Sequence, residues 1–140
     1  MPAMDAGGNG SGQAGMDRVR VEFPADTINM SIARTVAAAI AARADLTLDQ
    51  VEDVRLAMDE ATAHMIKIAR PGSSVRCDLW IEGRALHASV GCVVDSEPPP
   101  EPDPFAWTVL TALVESAVLH VDGSTAELRW SLTNDHSLHA

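Results

Sequence analysis

Residues 54–69 read VRLAMDEATAHMIKIA. Counting back to Val51, the apolar positions Val51, Val54, Met58, Ala61, Met65 and Ile68 recur at intervals of 3, 4, 3, 4 and 3. That rhythm is the buried stripe of an amphipathic α-helix. Thr47 is placed to cap the start, and Gln50, three residues on, completes a capping box. Pro71-Gly72 supplies the stop. The spacing predicts a helix over 48–69. Its middle nevertheless carries Asp59, Glu60 and His64, three polar groups in a segment built for burial.

On the N-terminal side, RVRVEF (18–23) alternates Val19, Val21 and Phe23 with Arg18, Arg20 and Glu22. A period of two marks a half-buried strand, and Pro24 ends it. Asp26 or Thr27 can cap a helix over 27–44, with Ile28, Ile32, Val36 and Ile40 at helical spacing as its expected buried stripe. On the C-terminal side, VRCDLWIE (75–82) alternates again. Gly83-Arg84 makes a two-residue turn, and Leu86, Ala88, Val90, Cys92 and Val94 form the inward face of the next strand. A tight turn sets Cys77 opposite Val90 and Cys92 opposite Val75, so the cysteines are diagonal neighbours and not a disulfide.

Five prolines in DSEPPPEPDP (95–104) exclude helix and ladder and make a stiff acidic loop. A third helix is predicted over 105–117, a short strand over 118–121, and a last strand over 125–133 with Ala126, Leu128, Trp130 and Leu132 inward. Residues 1–16 are Gly-rich and read as a tail, and 134–140 as a polar exit, which leaves 17–133 as one domain. Neighbouring strands pair antiparallel and three helices must cover one face. The expected fold is a two-layer α+β sandwich with a mixed or antiparallel sheet.

The chain has 140 residues and is 46% apolar, enough for one domain with a core. Ten Lys and Arg stand against twenty Asp and Glu, for a net charge of −10. The basic residues are scattered, which argues against a nucleic-acid partner, since that affinity comes from neutralising phosphates. No apolar run is long enough to span a membrane, and no leader pattern is visible, so the expected compartment is the cytoplasm. Cys77 and Cys92 fit there as reduced core thiols, and two cysteines without further close ligands do not make a metal site.

Glu60 and His64 are four residues apart, so their side chains can meet. One reading is a solvated ion pair worth about 0.3–0.5 kcal/mol. The other is a site at the edge of the sandwich, with Glu60 aimed at a ligand.

Element order and local sequence together resemble the ATP-binding fold shared by gyrase, heat-shock chaperones, histidine kinases and mismatch-repair ATPases. Within it, VRLAMDEATAHMIKIA and FAWTVLTALVESAVLHVDG look like the small anti-sigma factors that double as serine kinases, in their divergent actinobacterial form. In that family the helix carries an Asp-Glu-x-x-x-Asn box, whose Glu is the general base and whose Asn holds magnesium on the phosphates. The resemblance puts the base at Glu60 and sets His64 where the Asn belongs, a poor ligand for a hard cation. A following Asp-x-Gly-x-Gly turn binds adenine. Here Asp95 fits, while both glycines are replaced in Ser96-Glu97-Pro98-Pro99. The glycine-rich start of the third helix reads Pro104-Phe105-Ala106-Trp107.

The resemblance thus implies cofactor contacts at His64 and Asp95, with ATP and magnesium as the family's cofactors, on a site short of the small residues a triphosphate needs. It implies binding of a sigma factor, release by an anti-anti-sigma protein of the single-domain STAS type, and a homodimer with the first strand and helix near the dimer and partner surfaces. The alternative it leaves open is an active serine kinase that phosphorylates the antagonist.

Overall fold

The computed structural model describes residues 18–95 and 99–135. The predicted tail over 1–16 and residues 136–140 of the predicted exit over 134–140 lie outside them, as do Ser96, Glu97 and Pro98 of the acidic loop. The elements are β1 (Val19–Pro24), a 3₁₀ turn (Thr27–Asn29), α1 (Met30–Arg43), α2 (Leu48–Ile68), β2 (Ser74–Glu82), β3 (Ala85–Val93), α3 (Pro104–Leu113), β4 (Ser116–Asp122) and β5 (Thr125–Thr133). The strands form a five-stranded sheet in the order β1-β2-β3-β5-β4, and every pair is antiparallel. Helices pack on one face, so the molecule is a two-layer α+β sandwich. No helix among the described residues is long and apolar enough to cross a membrane.

The predicted register of the β2–β3 hairpin is found: Val75 faces Cys92 and Cys77 faces Val90. Gly83 adopts φ +64°, the left-handed region that the two-residue turn requires. Both cysteines are free and buried. Burial pushes the Cys77 thiol up to about 12 and Cys92 to about 11, so both stay protonated. The capping box of α2 is complete. Thr47 Oγ1 accepts from the Gln50 amide at 3.1 Å, and Gln50 Oε1 accepts from the Thr47 amide at 3.2 Å. Gln50 reaches further, because its Nε2 donates to the carbonyl of Thr133 at 2.7 Å. This fastens the start of α2 to the end of β5.

Three expectations are revised. The helix over 27–44 opens as a 3₁₀ turn, with the Asp26 side chain accepting from the Ile28 amide. The buried stripe of α1 is Ala33, Ala37, Ile40 and Ala41, whereas Ile28 and Ile32 are 77% and 45% exposed. The alanine face lets α1 lie close against its neighbours, and the bulkier isoleucines are left outside. Next, α3 stops at Leu113, and β4 begins at Ser116 because Ser116 and Ala117 pair with Ser131 and Trp130. Tertiary pairing overrides the helix propensity of LVESA. Last, packing continues past 133. Asn134 is buried, and its Nδ2 donates to the carbonyls of Ala44 and Asp45 at 3.0 and 2.8 Å. It thereby holds the α1–α2 link, where Asp45 sits at φ 60°.

The core lies between sheet and helices. Val54, Met58, Ala61, Met65 and Ile68 of α2 meet Val75, Cys77, Leu79, Leu86, Val90, Leu128 and Trp130 of the sheet. The other face of the sheet carries a charged lattice. Arg20 Nε donates to Asp78 at 2.7 Å, Ser89 Oγ donates to Glu127, and Arg129 pairs with Glu127 at 3.1 Å.

Candidate functional site

The three polar groups in the middle of α2 go to two different places. Asp59 points to α1, where Arg34 Nε donates to both of its carboxylate oxygens at 2.9 and 3.1 Å. Its part is to join the two helices. Glu60 and His64 point the other way, into a cleft between α2 and α3.

This cleft is walled by Glu60, Ala63, His64, Lys67 and Ile68 on α2. Pro100, Glu101, Asp103 and Ala106 close the far side. A narrow continuation reaches Trp107, Leu110 and Leu128. The helical spacing that puts Glu60 and His64 on one line also puts Lys67 there. The opposite wall exists because Leu110, buried in α3, holds that helix against α2.

Glu60 and His64 therefore share a cavity, as the sequence suggested, but not as an ion pair. His64 Nε2 is buried and has no hydrogen-bond partner among the described residues, so it does not engage the Glu60 carboxylate. Burial, reinforced by Lys67, lowers the His64 pKa and keeps the ring neutral. Asp95, the third residue singled out from sequence, is exposed just past the end of β3 and does not line this cavity. It follows the point where Ala69 bridges Val94, which ties the end of α2 to the sheet. Phe105, in the glycine-free start of α3, is 75% exposed. Trp107 is half-buried against the core.

These residues fit a magnesium–nucleotide poorly. The cavity is about 200 Å³, below the roughly 300–1,000 Å³ of ordinary small-molecule sites. Its walls bring three carboxylates, Glu60, Glu101 and Asp103, against one ammonium, Lys67. That balance repels a polyphosphate. The start of α3, where free amides would attract a phosphate, is already engaged. Pro104 has no N–H, and the Phe105 amide donates to the Asp103 side chain at 3.0 Å. The nitrogen at His64 suits a hard cation poorly. The donor set as it stands does not match the cofactor that the family's fold implies.

Sequence reasoning missed the exposed pair Ile28 and Ile32. The signal was present in the neighbouring alanines at 33, 37 and 41, a second stripe one residue over. It did not single out Asp103 on the wall opposite His64, because that loop has no periodicity to place it.

Comparison with known proteins fixes the ancestry. The family described as Histidine kinase-like ATPase domain matches residues 23–108, from the end of β1 into α3. The anti-sigma-F factor RsbW of Mycobacterium tuberculosis, in strains CDC 1551 / Oshkosh and ATCC 25618 / H37Rv, is 32% identical over 124 residues. That alignment covers 86% of this chain and 71% of the relative. The aligned stretch takes in the capped α2, the hairpin that follows it and the walls of the cleft, and on that footing the chain belongs to the histidine kinase-like ATPase family, among the relatives of the RsbW-type anti-sigma factors.

Proposed function

We propose that this protein is an anti-sigma factor that works by binding, with the cleft between α2 and α3 no longer serving as a nucleotide site. It sequesters a sigma factor in the cytoplasm and gives it up when a STAS-type anti-anti-sigma protein competes. The likeness to RsbW over 124 residues is the observation that carries the partner assignment. The acidic balance, net −10, supports a basic partner, since complementary charge speeds encounter and selects partners. Ile28 in the 3₁₀ turn and Ile32 in the first turn of α1 stand exposed, in the region where the family resemblance sets partner contacts. They supply apolar area of the kind that anchors an interface.

The cleft reading is supported by its small volume, its three facing carboxylates and the capped start of α3. The test is to identify a sigma factor captured by the purified protein from its host. Transcription by polymerase charged with that factor is then measured with and without ATP. The reading expects stoichiometric inhibition that does not depend on ATP. Inhibition that requires ATP contradicts the second half of the reading, and failure to inhibit contradicts the first.

One observation favours a second reading, a serine kinase acting on the antagonist. Glu60 lines the cleft, and the family resemblance gives that residue the part of general base. In that case Glu60 takes the proton from the acceptor serine hydroxyl, and phosphate transfer to the antagonist is lost in Glu60→Gln.

A further inference from the structure

The outer face of the sheet, away from the helices, carries a row of flat groups. Register aligns Trp80 of β2 with His87 of β3, His87 with Ser131 of β5, and Ser131 with Ser116 of β4. Arg18, just before β1, holds its guanidinium 3.9 Å from the centroid of the Trp80 ring. The Trp80 and His87 rings stack, with centroids 5.4 Å apart and planes inclined by 10°. Guanidinium, indole and imidazole thus follow one another at close to the strand spacing of about 4.8 Å. The next two places in the row are serines, too small to continue the stack. A cavity of about 410 Å³ opens there, with Trp80, His87, Ser116, Val118, Arg129 and Ser131 among its walls. That size falls within the roughly 300–1,000 Å³ of ordinary small-molecule sites.

We propose that this cavity binds a small aromatic carboxylate, its ring lying against the face of His87 turned away from Trp80 as the next member of the stack. Aromatic rings gain from offset stacking at this kind of separation. The ring rests over Ser131 and Ser116, and Val118 flanks it with apolar surface. The carboxylate is selected by charge. Arg129 lines the cavity, and among the described residues no Asp or Glu does, in a chain that has twenty of them. Glu127, two residues along β5, pairs with Arg129 Nε at 3.1 Å and is not one of the cavity walls. A guanidinium has five N–H donors in a planar fork suited to carboxylates, so this pairing orients the fork without exhausting it. The α2–α3 cleft has the opposite character, with three carboxylates around about 200 Å³. The site lies on the other side of the sheet from that cleft and does not depend on the anti-sigma reading.

The test is a titration of the full chain with naphthoate, followed by amide and indole NMR. Two controls separate ring from charge: decalin carboxylate has the same charge without a planar ring, and naphthylmethanol has the ring without the charge. Naphthoate is expected to give saturable shifts of the Trp80 indole N–H and the Ser131 amide, and each control to bind about tenfold more weakly. Arg129→Gln should erase the difference between naphthoate and naphthylmethanol. Ser131→Tyr puts one of the protein's own rings in the next place of the row and should abolish binding. His87→Ala covers a Ser131→Tyr chain that does not fold: its side chain is 32% exposed, and its loss should weaken naphthoate binding about tenfold. No saturation by naphthoate, equal binding of decalin carboxylate, shifts centred on Glu60 and His64, or full affinity in folded Ser131→Tyr or His87→Ala each overturns the proposal.

Discussion

Leu110→Ala tests how the cleft wall is held. Leu110 is 2% exposed and is the only residue of α3 that is fully buried. Trp107 and Leu113 add partial burial against the core. A ten-residue helix has little stability of its own in water. Its local supports are Pro104 at the first turn and the Asp103 cap. Docking onto α2 therefore supplies most of what keeps it folded. Removing a buried leucine costs about 2–5 kcal/mol, and burial of the side chain itself is worth about 1.5–3 kcal/mol. The docking of so short a helix is of that same size, so the loss should fall on α3 more than on the whole domain. Native-state hydrogen exchange resolves the two. At about 1.4 kcal/mol per tenfold, a local loss of about 2–3 kcal/mol speeds exchange of the α3 amides roughly 30- to 150-fold. Amides of α2 and of the central strands β2 and β3 should change far less. Equal loss of protection in all elements would refute the idea that α3 is a separately docked wall. Unchanged exchange in α3 would refute the role given to Leu110.

Further outcomes follow from other contacts. Thr47→Ala removes one half of the capping box and should cost about 1 kcal/mol, read as a lowered midpoint in urea; a neutral result would mean that Gln50 alone fixes the helix start. His64 is neutral in the fold because burial, with Lys67 nearby, holds its pKa below that of an ordinary histidine. Its folded pKa lies below its unfolded one, so the unfolded chain takes up the proton first, and this contribution to stability is full above the unfolded value and falls as pH drops through it. His64→Asn should flatten stability between neutral and mildly acidic pH while leaving partner binding intact. An unchanged pH slope would show that the ring is not desolvated in solution, and lost binding would place His64 in the interface.

Much of the fold was legible in the sequence. Period-two alternation in 75–82 and 85–93, with a turn of two residues, left one register that keeps both apolar sets inward, and Val75–Cys92 and Cys77–Val90 follow from it. Capping chemistry placed the start of α2 to the residue. The α1 stripe was not legible in the same way. Ile28, Ile32, Val36 and Ile40 and the series Ala33, Ala37, Ala41 have the same spacing one residue apart, so periodicity alone does not choose between them. The choice came from how closely α1 packs, which is a property of its neighbours. The start of β4 failed for a related reason, since Ser116 and Ala117 take their conformation from partners on β5. At the site, one helix line brought Glu60 and His64 together as expected. Asp103 on the facing wall was hidden because it is reached through a proline-rich loop whose path no local rule fixes.

The central proposal is that a histidine kinase-like ATPase scaffold serves here as a docking protein, with Glu101 and Asp103 on one wall of its cleft. Calorimetric titration of the purified protein with Mg-ATP at millimolar concentration tests this most directly, alongside its melting temperature. The account predicts no saturable heat and no thermal shift. A saturable, magnesium-dependent signal, with the roughly 2.7 kcal/mol of stabilisation that a ligand at about 100 times its Kd confers, would contradict it.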